Sequence, residues 1–180
     1  ITRLLDAGVW NLHIPQVENA EQAAEVVAAT RYAPLGSRGM YGSGPHTGFH
    51  VRPPAEHLAT ANARVHVTAM LESKHAFDHL DAIAAVPGID ALTIGPTDLA
   101  QDLGVLGAPS QKDVLREHRV RLGEAARKHG KTVAMAVDTI EAVREVIALG
   151  ATIVNYSSDV GILRSGYTAA VAEIRKPKER

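Results

Sequence analysis

The sequence predicts an α/β protein on a parallel sheet, and two observations carry the prediction. Short apolar segments of strand character alternate strictly with helical segments, and acidic or amide side chains gather just after those strands. Parallel strands need a crossover that returns the chain to the same end, so strict alternation implies a parallel sheet. Acids at strand ends matter because active sites of parallel α/β folds collect at the carboxyl ends of the strands.

Element by element, Ile1, Leu4 and Leu5 have helical spacing and Gly8 supplies a C-terminal stop, so the chain opens inside a helix. Residues 9–15 read as a first strand, and an alanine-rich helix follows behind Asn19 as N-cap. Residues 33–54 are rich in Gly and Pro and too long for an ordinary connector. A short helix, AEHLATAN, precedes a strand at 65–71, and one helix is expected from Ser73 with Ala76, Leu80, Ile83 and Ala84 on one face. A third strand at 90–95 leads into the short helical segment PTDLAQDLG and a long helix at 111–129. Strands at 131–137 and 151–157 flank a helix at 139–149 that stops at Gly150, and a last helix is expected at 166–174. That makes five βα units.

An open sheet and a closed barrel both satisfy this order. No Gly-rich dinucleotide fingerprint follows the first strand and no P-loop is present, which favours the barrel. A (β/α)8 TIM barrel takes about 250 residues, so a chain opening mid-helix is expected to hold about the last five βα units, with roughly three expected before Ile1. Residues 1–180 then read as a single TIM-barrel domain.

Composition narrows the function. With 19 basic and 20 acidic side chains the net charge is -1, which argues against nucleic acid and anionic membrane as partners. No apolar run of about 18 residues and no signal-peptide pattern is seen, so a cytoplasmic protein is expected. With no cysteine, any metal must take oxygen or imidazole ligands.

The residues after the strands are Gln16 and Glu18, then Glu72, then Thr97 and Asp98, then Asp138, and finally Ser157 to Asp159. Glu72 and Asp98 end strands expected to be neighbours, about 5 Å apart laterally. Two close carboxylates repel, and a hard divalent cation that keeps several waters removes the conflict. The other reading makes Asp98 a helix cap and Glu72 a solvent-facing acid.

The stretches IPQVENAEQAAEVVAATRYAPLGSRG, LESKHAFDHLDAIAAVPGIDALTIGPTDLAQDLG and SSDVGIL carry a resemblance. The chain resembles the HpcH/HpaI aldolase/citrate lyase family from Leu5 to Leu163, most specifically in VPGIDALTIGPTDLAQDLG, and within it the pyruvate aldolases acting on 4-hydroxy-2-oxo acids. The resemblance implies a metal-dependent aldolase in which Glu72 and Asp98 ligate Mg²⁺ or Mn²⁺, with Co²⁺ an alternative. The candidate substrate-binding residues are Gly95, Pro96, Thr97, Met70 and Arg38, and the resemblance implies that the backbone of Gly95 to Asp98 helps to hold the substrate carboxylate. The expected reaction is cleavage to pyruvate, or a related 2-oxo acid, and an aldehyde through a metal-stabilised enolate. Other metal-enolate lyases (a decarboxylase or CoA-ester lyase) and a non-catalytic barrel relative are the alternatives. A homo-oligomer, hexameric or a trimer of dimers, is expected too.

The sequence departs from the family pattern in three places. The resemblance places the usual general base histidine and substrate arginine on early βα units expected before Ile1, so no base is named here. Met70 stands where these aldolases often have glutamine, and Thr97 where alanine is common. The stretch MYGSGPHTGFHVRPP does not closely follow the family pattern, and its His46 and His50, catalytic candidates by residue type, are expected to be solvent-exposed. His13 is expected to be a satisfied wall residue, Trp10 a core or interface anchor, Arg38 either a carboxylate-orienting group or a structural salt bridge, and KPKER a solvated tail.

Overall fold

The computed structural model describes residues 1–176; all of the KPKER tail after Lys176 lies outside the described residues. Its five strands are β1 (Asn11–Ile14), β2 (His66–Leu71), β3 (Ala91–Ile94), β4 (Thr132–Val137) and β5 (Ile153–Tyr156). They form one sheet in chain order, every neighbouring pair parallel, with Leu71 opposite Ile94 and Ala69 opposite Leu92. The spatial order never reverses, so there is no switch point of the open doubly wound kind. Right-handed crossovers that all run in one direction put every helix on one face, which is the TIM-barrel-like arrangement.

Side-chain alternation then sorts the sheet. Val67, Ala69 and Leu71 of β2, Leu92 and Ile94 of β3, and Val133, Met135 and Val137 of β4 join the apolar core under the helices. Thr68, Met70, Thr93 and Ala134 point to the opposite, inner face. The helices are α1 (Thr2–Asp6), α2 (Ala20–Thr30), α3 (Pro54–Arg64), α4 (Lys74–Asp78), α5 (Leu80–Ala85), α6 (Pro96–Asp102), α7 (Gln111–Lys128), α8 (Ile140–Ala148) and α9 (Asp159–Ile174). Ile83, Leu99, Leu122 and Val146 are fully buried among them, each such side chain contributing about 1.5–3 kcal/mol.

Capping fixes where the helices begin. Asn19 Oδ1 accepts from Gln22 N (2.9 Å), Ser73 Oγ from Ala76 N (3.0 Å) and Thr139 Oγ1 from Ala142 N (3.1 Å). Two expectations are corrected. The single helix from Ser73 is broken at His79 (φ -106°, ψ 9°), and α5 restarts there so that Leu80, Ile83 and Ala84 reach the core. The last helix begins at Asp159 rather than 166, because Ser158 Oγ accepts from Gly161 N (3.0 Å) and caps it there.

The amino ends of the strands are closed by the 33–54 stretch, which contains one 3-10 turn, Pro45–Thr47. Arg31, after α2, bolts this end together: its guanidinium donates to the carbonyls of Asn62 and Val65 (2.7 Å for Val65) and to Asp90 Oδ2 (2.9 Å). Among the described residues no helix is long and apolar enough to cross a membrane.

Candidate active site at the carboxyl ends of the strands

Glu72 is the residue immediately after β2, and Gly95 the residue immediately after β3. Extending the β2–β3 register by one places them opposite each other, and the Gly95 N–H donates to the Leu71 carbonyl (3.2 Å). The Glu72 side chain lies across Gly95 so closely that a Cβ there would overlap Glu72 Oε2. Glycine at 95 is therefore required by the carboxylate rather than by its own backbone angles.

Glu72 is buried, 8% exposed, whereas Asp98, in the first turn of α6, is exposed. Burial is the main cause that raises the Glu72 pKa above the ordinary carboxylate range; the nearby Asp98 carboxylate raises it further, and a hydrogen bond from Gln16 opposes both. That bond runs from the Gln16 backbone N–H to Glu72 Oε1 at 2.8 Å. The two acids thus lie near each other at the carboxyl ends of β2 and β3.

The first turn of α6 has N–H groups without intrahelical partners. The Gly95 N–H is already engaged and Pro96 has none, so Thr97 and Asp98 carry the free donors. Thr97 is exposed and Pro96 half-buried at the edge of a cleft of about 430 Å³ that Arg119, Asp138, Asn155 and Ser157 also line. Met70 lies on the inner face two residues before Glu72, opposite Thr93. Glu18 Oε1 accepts from Ser73 Oγ (2.8 Å), tying the β1 loop to the start of α4.

Arg38 is not brought to this group. It is buried at the amino ends of the strands, where Nη2 donates to Asp6 Oδ1 (2.6 Å) and the guanidinium sits 4.6 Å from the Tyr32 ring centroid. Its geometry is that of the structural bridge, and its Nε and Nη1 have no hydrogen-bond partner among the described residues. His46 corrects the expectation of exposure: it is buried, with Nδ1 3.2 Å from the Asp6 carbonyl and Nε2 3.0 Å from the Tyr41 carbonyl. His50 is exposed, and so is His13, on the inner face of β1. Trp10 packs against the core with the Arg64 guanidinium 4.4 Å from its ring centroid. Asp138 and Asp159 are exposed.

The sequence reading missed the Gln16 clamp and the Arg31 bolt. Gln16 directly follows Pro15 at a strand end, which marked its position, but its backbone angle had no signal in the residue type.

The family model described as HpcH/HpaI aldolase/citrate lyase matches residues 1–165. The chain belongs to that family. Among its relatives, a 5-keto-4-deoxy-D-glucarate aldolase of Klebsiella pneumoniae is 39% identical over 165 residues, 92% of this chain and 63% of that protein. The chain thus spans 63% of the length of this curated relative. The crystal structure of an HpcH/HpaI aldolase from Desulfitobacterium hafniense superposes with a TM-score of 0.92 at 31% identity, covering 100% of this chain and 70% of that one. A family protein from Burkholderia cenocepacia gives 0.86 at 33% identity, covering 97% and 68%.

Oxygen donors of this kind suit a divalent metal, as membership of the family implies. Among the described residues no group of three or more His, Asp or Glu converges as a cage. Mg²⁺-like ions do not need one, since they keep several waters on one or two carboxylates. The pair also has a reason to take a cation: ionised Glu72 is disfavoured by burial and by Asp98, and a positive charge between them offsets both.

Proposed function

We propose that the protein is a divalent-metal-dependent carbon–carbon lyase that cleaves a 4-hydroxy-2-oxo acid to pyruvate, or a related 2-oxo acid, and an aldehyde. The observation that carries this reading is the buried Glu72 facing Asp98 across neighbouring strand ends. The relatives named as aldolases of a keto-deoxy-glucarate support the substrate class. Glu72 and Asp98 would hold Mg²⁺, Mn²⁺ or Co²⁺, and such a cation supplies Lewis acidity to the keto oxygen of the bound 2-oxo acid.

The chain's own groups do the rest. The free N–H groups of Thr97 and Asp98 receive the substrate carboxylate, Pro96 and Gly95 keep that turn close to Glu72, and Met70 forms the apolar floor on β2. Asp98, which is exposed, would hold the same cation together with Glu72. In this reading the general base that takes the C4 hydroxyl proton comes from outside residues 1–176. Arg38 is assigned to the structure rather than to the substrate, since it is spent on Asp6 at the far end of the strands.

The same reading makes the sheet part of a closed (β/α)8 barrel and residues 1–180 one domain. The one-directional strand order and the 0.92 superposition support it. It also includes a homo-oligomer, supported by α9, which buries no residue and exposes Val160, Ile162, Leu163 and Tyr167. A cytoplasmic setting, where 2-oxo acids are made and used, belongs to it too.

The test is release of pyruvate from a panel of 4-hydroxy-2-oxo acids, before and after EDTA and with Mg²⁺, Mn²⁺ or Co²⁺ restored. Glu72→Gln and Asp98→Asn are each expected to lose about 100-fold or more in kcat/KM, as for removal of a main electrostatic stabiliser. Full activity in both variants would sink the proposal.

A further inference from the structure

Gln16 is a non-glycine residue in the left-handed region, with φ 56°. That conformation is uncommon for an L residue, and such outliers persist where the surroundings enforce them. Here the turn aims the Gln16 N–H at Glu72 Oε1 (2.8 Å) and lets the next N–H, of Val17, reach the Met70 carbonyl (3.3 Å). The end of β1 is thereby clamped to the end of β2, beside the carboxylate pair.

On the β1 side the clamp uses only backbone, and glycine at 16 would make it without strain. What the clamp leaves unexplained is the side chain. Gln16 is exposed, and among the described residues only its backbone is hydrogen-bonded. Its carboxamide, with two N–H donors, is free at the mouth of the strands. Among the described inner-face residues of β2 and β3, none next to the pair offers an exposed donor. Met70 carries a thioether, Thr68 and Thr93 are buried below it, and the Gly95 N–H is spent on Leu71.

The geometry points to Gln16 as a substrate-binding residue whose carboxamide donates to an oxygen of the 2-oxo acid, the role that Met70 cannot fill from β2. This rests on the aldolase reading above. An amide at that place meets negative charge developing on the keto oxygen and strengthens as the charge grows.

The experiment compares the parent chain with Gln16→Met, Gln16→Gly and the double variant Gln16→Met/Met70→Gln. Mn²⁺ affinity is followed by electron paramagnetic resonance, pyruvate affinity by calorimetry at saturating Mn²⁺, and pyruvate release by kcat/KM. Both single variants keep the backbone N–H and are expected to hold Mn²⁺ as the parent does. Their pyruvate affinity and kcat/KM are expected to fall about 10- to 100-fold, the worth of one hydrogen bond to a charged group. The double variant, with a carboxamide restored on the neighbouring strand, is expected to recover most of the loss. Parental pyruvate affinity in either single variant overturns the inference, and so does a loss of Mn²⁺ that matches the loss of pyruvate, since Gln16 would then serve only to hold Glu72. A parent that binds Mn²⁺ but neither binds pyruvate nor cleaves any substrate overturns the aldolase reading itself.

Discussion

At the scale of single residues, the site depends on one atom that is absent. Gly95 leaves room for the Glu72 carboxylate, so Gly95→Ala pushes Oε2 away from Asp98. The expected result is a fold that persists, since Gly95 lies outside the left-handed region, with Mn²⁺ affinity lost by at least about tenfold. Unchanged Mn²⁺ titration in that variant would show that the carboxylate does not need this seat. A second residue sets an acid sensitivity. His57 is buried 5.3 Å from the His46 ring, and its pKa is lowered first by burial, then by the positive charge of His46, Arg38 and Arg52. Because the folded value lies below the unfolded one, stability is full above the ordinary imidazole range. It falls as pH drops through that range towards the folded value, where the unfolded chain takes a proton that the folded chain refuses. His57→Gln is expected to flatten the loss of melting temperature between about pH 7 and 5; an unchanged slope would assign the acid sensitivity to other groups.

At the scale of elements, the strand ends were legible and their fastening was not. The apolar runs and the caps Asn19, Ser73 and Thr139 marked most elements to within a residue or two, because local hydrogen bonding and side-chain periodicity decide them. The break at His79 and the early start of α9 depend on which face must reach the core, which periodicity over so short a span leaves open. Arg31 shows the same limit. Its four acceptors, the carbonyls of Asn62, Val65 and Gly88 and the Asp90 carboxylate, lie 31 to 59 positions away, so nothing near Arg31 announces them. A lysine has one nitrogen where the guanidinium has a fork, and Arg31→Lys is expected to cost about 3 kcal/mol in denaturant unfolding. A loss under about 0.5 kcal/mol would mean that the amino ends are held by packing alone.

At the scale of the whole molecule, α9 stands out. It extends from β5 with Val160, Ile162, Leu163, Tyr167, Val171 and Ile174 exposed, an apolar surface that a partner or more of the fold would cover. If that partner is a second copy, Leu163→Asp with Tyr167→Asp lowers the mass found by light scattering on size-exclusion chromatography. An unchanged mass would take α9 out of the assembly.

The sequence by itself determined the parallel α/β class, the order of the elements and the acids that follow the strands, because alternation, capping and apolar runs are written locally. It also carried the family likeness, through long motifs rather than single residues. Only the tertiary structure decided which of the marked residues meet. Glu72 came to Asp98 because β2 and β3 are neighbours in register, while Arg38 went to Asp6 and His46 into the interior at the other end of the strands. The backbone turn at Gln16, which aims an N–H at Glu72, was likewise invisible until the two strand ends lay side by side. A carboxylate's burial and its neighbours set its chemistry, and both come from residues far apart in the chain.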